Sequence, residues 1–105
     1  MDELTKDHIK QLKDGFTEFK KSFSDDTRER YSVKSFRLTS LTLGKQQNGF
    51  LEVSFEYKGE CSFVPGDCAY TEKVKVSELK STGDFFRQLY RLISQRVNDS
   101  FNNTR

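Results

Sequence analysis

LEVSFEYKGECSFVPGDCAYTEKVKV, Leu51 to Val76, is the stretch on which the fold turns. Its first half alternates strictly. Leu51, Val53, Phe55 and Tyr57 fall on one side, and Glu52, Ser54, Glu56 and Lys58 on the other. A period of two is the pattern of a half-buried β-strand. In the middle stands Val64-Pro65-Gly66-Asp67. Proline sets φ for the second position of a type II turn, and glycine accepts the positive φ of the third. A tight hairpin closed there pairs Phe63 with Cys68, Cys61 with Tyr70, Tyr57 with Val74 and Phe55 with Val76. Apolar residues meet along most of that register, with Gly59 opposite Glu72 as the exception. The other face pairs Glu56 with Lys75, a favourable contact, and Lys58 with Lys73, an unfavourable one.

Upstream, Tyr31 to Leu43 also alternates, but out of phase with itself: Phe36 and Leu38 are even, Leu41 and Leu43 odd. One extra residue at Thr39-Ser40 restores a common face, as a β-bulge does. GKQQNG then reads as a loop. Earlier still, Ile9, Leu12, Phe16, Phe19 and Phe23 are spaced three or four apart, the stripe of an amphipathic helix from about Thr5 to Phe23. Gly15 sits inside it at a cost of about 1 kcal/mol relative to Ala. SDDTRER reads as a polar connection. Downstream, Ser81-Thr82-Gly83-Asp84 offers a helix start, and Phe85, Phe86, Leu89, Tyr90, Leu92, Ile93, Val97 and Phe101 cover more than half of a helix running from about Thr82 to Phe101. The expected fold class is α+β, in the order α-β-β-β-α: a three-stranded antiparallel meander with the N- and C-terminal helices packed on one face. Phe55, Leu89 and Ile93, each mid-element on its apolar side, are expected in the deep core.

The 105 residues read as a single domain, with 1–4 and 102–105 as frayed ends. The apolar set is only 33% of the chain, so ten Phe and four Tyr must supply much of the buried area. A net charge of +2 points to no particular partner and is low for a dedicated duplex-DNA binder. No apolar run has the roughly 20 residues of a membrane span, and MDELTKDHIK lacks the apolar core of a signal peptide. The expected compartment is the cytoplasm, with no membrane contact. Asn98-Asp99-Ser100 and Asn102-Asn103-Thr104 match the glycosylation sequon, a short and unspecific pattern.

Few residues carry chemistry. In the hairpin register above, Cys61 and Cys68 are diagonal neighbours about 7–8 Å apart, beyond disulfide reach, so both are expected as free thiols. His8 is the single histidine and has no paired ligand or base partner in the sequence. No phosphate loop, nucleophile elbow or His/carboxylate spacing occurs. We therefore assign no catalytic, cofactor-binding or metal-ligating residue, and no cofactor. Glu72 is unusual in pointing to the core side between Tyr70 and Val74. It either reaches water at a sheet edge or bulge, or stands in a pocket with a raised pKa.

Surface recognition is what remains. Phe50, placed by parity on the polar side of its strand, is a candidate anchor for another protein, and an unpaired strand edge or a helix face could accept a second copy. The alternative is nucleic acid, RNA or DNA. Lys6, Lys10, Lys13 and Lys20 fall on one strip of the first helix, away from Asp7, Asp14 and Glu18, and Arg87 and Arg91 share a side of the last helix. The element order is also that of double-stranded-RNA-binding domains, but those have a lysine-rich start to their second helix, where KSTGDFFRQL carries an aspartate. The outward sheet residues Glu52, Ser54, Glu56, Lys58, Lys73 and Lys75 include no aromatic platform for single-stranded bases. The favoured reading is a non-enzymatic protein-interaction module of adaptor, inhibitor or assembly-factor type. A small enzyme or ligand binder ranks third.

Overall fold

The computed structural model describes residues 5–59 and 68–103, with the side chains of Cys68 and Asn103 left aside. The elements are helices α1 (Lys6–Asp14) and α2 (Phe16–Tyr31), strands β1 (Phe36–Gln47), β2 (Phe50–Gly59) and β3 (Cys68–Lys75), a 3-10 turn (Val76–Glu78) and helix α3 (Thr82–Asn103). The strands form one antiparallel meander in the order β1-β2-β3. The helices pack against one face of it, in an α+β fold of order α-α-β-β-β-α.

The expected first helix is thus two. Thr5 caps α1 by accepting from the His8 N–H at 3.2 Å, while His8 Nδ1 accepts from the Thr5 N–H at 3.4 Å. This is a capping box with histidine in the place usually held by Glu or Gln. Gly15 separates α1 from α2, and its missing side chain makes room across the interface. A Cβ at this position would stand 2.7 Å from the tip of the Phe86 ring on α3.

SDDTRER is helical, contrary to the sequence expectation. The apolar stripe stops at Phe23, but its inward positions continue as Ser24 and Thr27, both buried. The Ser24 hydroxyl donates to Lys20 O at 2.7 Å and accepts from the Leu38 N–H at 2.9 Å, so its burial leaves no unmet polar group. α2 stops where Ser32 turns left-handed, φ 54°, and Val33 N–H returns to Arg28 O at 3.0 Å.

β1 begins later than expected and runs further, through Lys45 to Gln47, so GKQQNG contracts to a two-residue turn. Asn48 and Gly49 both have positive φ, 54° and 81°, as a type I′ hairpin requires. The bulge expected at Thr39-Ser40 is present between Leu38 and Ser40, and a second irregularity falls between Leu43 and Gln46.

The hairpin register is the main correction. Tyr57 lies opposite Cys68, Phe55 opposite Tyr70, Val53 opposite Glu72 and Leu51 opposite Val74. On the polar face Glu52 meets Lys73 and Glu56 meets Ala69. The observed register is offset by six residues from the one expected of a tight turn at Pro65-Gly66. Gly59 pairs with Phe36 of β1, at a position that excludes a side chain. Its φ of 143° suits glycine, and an added Cβ would collide with Ser35 O and lie 2.7 Å from Phe36 Cα. Cys61, the Pro65-Gly66 turn and the question of the cysteines' pairing lie outside the described residues.

Phe55, Leu89 and Ile93 are buried as expected. Rings carry the core from the helices into the sheet: Phe23 meets Tyr90 edge-on at 5.0 Å and Phe36 at 6.1 Å, and Phe36 meets Tyr57 at 5.6 Å. Tyr57 is wholly buried, yet its hydroxyl reaches Arg96 O at 3.2 Å and Ser100 Oγ at 2.6 Å.

Candidate partner-binding surfaces

Among the described residues, only one side of the sheet is covered. Its other face presents the polar partners of the strand alternation, with Ser54 and Thr71 hydroxyls hydrogen-bonded across strands at 3.0 Å. Phe50 stands at the end of this face. It is 39% exposed, the only exposed large hydrophobic residue among those described. The cross-strand pair Glu52–Lys73 and Lys45, Gln47 and Asn48 ring a hollow of about 210 Å³ beside it.

The sheet edges differ. Along β1, Arg28 Nη1 donates to Phe36 O at 2.6 Å and Ser24 Oγ accepts from Leu38 N–H. Alternate residues direct their backbone groups to the same side, so both bonds occupy the start of the edge that faces away from β2. Asp25 in turn holds the Arg28 guanidinium. β3 is the other edge, with no strand beyond it among the described residues.

The lysine strip does not survive as one unit. Lys6, Lys10 and Lys13 are exposed on α1, whereas Lys20 lies half-buried on α2 beyond the break at Gly15. There it joins Lys21, Arg28 and Arg37 along a groove between α2 and β1, with Asp25 as the one carboxylate. Arg87 and Arg91 are brought together as expected, and Arg30 of α2 is added to them. These three line a groove between α2 and α3 with Tyr31, Tyr90, Ser94, Gln95 and Asn98. Arg30 belongs to the part of α2 that reads as a connection in the sequence, so no helical spacing announced it.

Glu72 points to the helix-covered side, as expected, but its partner was not legible. Arg96 on α3 reaches its Oε1 from Nη2 at 2.5 Å and from Nε at 3.1 Å, with the guanidinium 4.8 Å from the Tyr70 ring centre. The hydrogen bond to Glu72, then that carboxylate's charge, raises the Arg96 guanidinium above its ordinary range. The signal lay in the helix stripe, since Arg96 follows Ile93 by three residues on the inward side.

His8 lines a cleft of about 280 Å³ between α1 and the start of α3, floored by Leu12, Leu79 and Phe85 and edged by Lys80 and Ser81. Among the described residues no carboxylate lines it. The sequon residues Asn98 and Ser100 are used by the fold, accepting from Tyr31 Oη at 3.0 Å and engaging Tyr57 Oη respectively. Among the described residues no helix is long and apolar enough to cross a membrane. No protein-family model, curated protein or solved structure matches the chain.

Proposed function

We propose that the chain is a small, non-catalytic macromolecule-binding domain and that its partner is another protein. The observation that carries this reading is Phe50: an exposed ring at the end of an uncovered sheet face, set among Lys45, Glu52 and Lys73. An aromatic centre inside a polar rim is the composition of an interface hot spot. The same face carries hydroxyls and charges for hydrogen bonding, and a single ring is too few to stack a run of bases. Adaptor, inhibitor and assembly-factor roles share this chemistry. The cytoplasm is the compartment we assign.

The test is a quantitative comparison of proteins cross-linked to wild type and to Phe50→Ser in source-cell extract treated with nuclease. The expected result is a nuclease-resistant partner lost from Phe50→Ser and retained by the Lys6, Lys10, Lys13 triple change to Gln. Identical capture by wild type and Phe50→Ser overturns the reading.

Nucleic-acid binding is the second reading, favoured by the convergence of Lys20, Lys21, Arg28 and Arg37 on one groove. It requires affinity that falls by roughly 0.7–0.9 log units per phosphate contact for each log unit of salt. Submicromolar binding of a duplex or single strand at about 0.15 M salt, lost in Lys20→Gln/Lys21→Gln, decides in its favour.

A further inference from the structure

We propose that the groove between α2 and α3 docks an extended acidic segment of a partner protein, through Arg30, Arg87 and Arg91. The inference rests on the protein-binding reading for the kind of partner, but it concerns a different surface. Phe50 belongs to the open face of the sheet, whereas this groove lies in the helical layer.

Charge is the first argument. Three guanidinium groups line the groove and, among the described residues, no carboxylate does. Arg91 is exposed and has no ion-pair or hydrogen-bond partner among the described residues. Arg87 pairs with Asp84 at 3.2 Å, but its side chain is 73% exposed, and such surface pairs are worth little and exchange readily. Arg30 is held in place by the Tyr90 hydroxyl at 3.0 Å, with its guanidinium 5.8 Å from that ring's centre.

The walls are braced by packed rings and a hydrogen bond. Tyr90 is wedged edge-on against Phe23, and Tyr31 stacks on Phe101 at 4.1 Å while its hydroxyl holds Asn98. Ser94 Oγ, buried on the same wall, has no hydrogen-bond partner among the described residues. A buried hydroxyl without a partner is costly unless something supplies one.

Spacing selects the form of the ligand. Arg87 and Arg91 are one turn apart, about 6 Å along the axis of α3. In an extended peptide, residues two apart are on the same side and about 7 Å from each other. Carboxylates at alternate positions therefore meet the two arginines in turn, each through the planar fork that suits a carboxylate. Asp84, paired with Arg87 in the first turn of α3, bounds the cationic stretch at one end, so the groove suits a short acidic segment.

The test is fluorescence-polarisation titration of the full chain with a labelled ten-residue peptide alternating Glu and Ser, at about 0.15 M salt. The controls are the Gln/Ser version, oligo-dT and a short RNA duplex. Saturable binding is expected for the Glu peptide alone. It should weaken about tenfold or more in Arg87→Gln/Arg91→Gln, and about threefold in Arg91→Lys, where the charge stays and the fork is lost. Chemical-shift mapping on wild type guards against a misfolded variant: the amides of Arg91, Gln95 and Asn98 should move, and those around Phe50 should not. Equal affinity of wild type and double variant, tighter binding of either nucleic acid, no saturable binding, or shifts centred on Phe50 each overturn the proposal. Failure here with Phe50-dependent capture intact removes only the groove. Capture that ignores Phe50, with peptide binding intact, removes only the sheet-face reading.

Discussion

At Gly15 two demands meet in one missing methyl group. The position closes α1 and opens α2, and it also gives room to the Phe86 ring. Alanine has the better helix propensity by about 1 kcal/mol, but its Cβ would have to displace that ring. Gly15→Ala should therefore destabilise the wild type and stabilise a Phe86→Ala background, a sign change that a double-mutant cycle by urea unfolding reads directly. Equal effects in both backgrounds would show that the ring yields without cost. Tyr57 presents the complementary case, a polar tip inside a dry core. Removing its hydroxyl in Tyr57→Phe releases Arg96 O and Ser100 Oγ from one of their contacts. A loss of about 1–3 kcal/mol by the same measurement is the expected result.

At the scale of elements, Ser24 and Arg28 show how a helix can finish a sheet. Both reach from α2 to backbone groups on the outer edge of β1. Ser24→Ala should cost about 1–3 kcal/mol, because it leaves the buried Leu38 N–H unmet, and should increase self-association on size-exclusion chromatography. These two residues also explain what the sequence hid. Where burial is apolar, as at Leu12, Phe55 and Ile93, periodicity announces the element. In the second half of α2 the inward positions are Ser24 and Thr27, and their suitability for burial is visible only once the groups they face are in place. The strand register was hidden for another reason. Moving the partner of Tyr57 from Val74 to Cys68 is an even step, so every side chain keeps its face. Alternation therefore specified the faces without specifying the offset. The candidate surfaces divide in the same way. Arg87 and Arg91 were legible as one helical side and Phe50 as an outward parity, whereas Arg30 depended on a helix that hydrophobicity does not mark, and the lysine strip assumed a helix that Gly15 interrupts.

For the molecule as a whole, the two-layer build gives the sheet a structural face and a free one. Two phenylalanines on β2 measure the contrast. Phe55→Ala should cost about 3–5 kcal/mol, a large part of the stability of a domain this small, whereas Phe50→Ser should stay within about 0.5 kcal/mol. Matching losses for the two by thermal or urea unfolding would mean that Phe50 serves packing. The same build has a consequence for how the chain is made. α3 supplies Phe85, Leu89, Ile93 and Val97 to the core, and it follows all three strands in sequence. During synthesis, at roughly 5–20 residues per second, Leu51, Val53, Phe55 and Tyr57 emerge before the helix that completes their cover. For those seconds only α1 and α2 can shelter the apolar face of the sheet, and the part left bare invites chaperone capture until α3 docks.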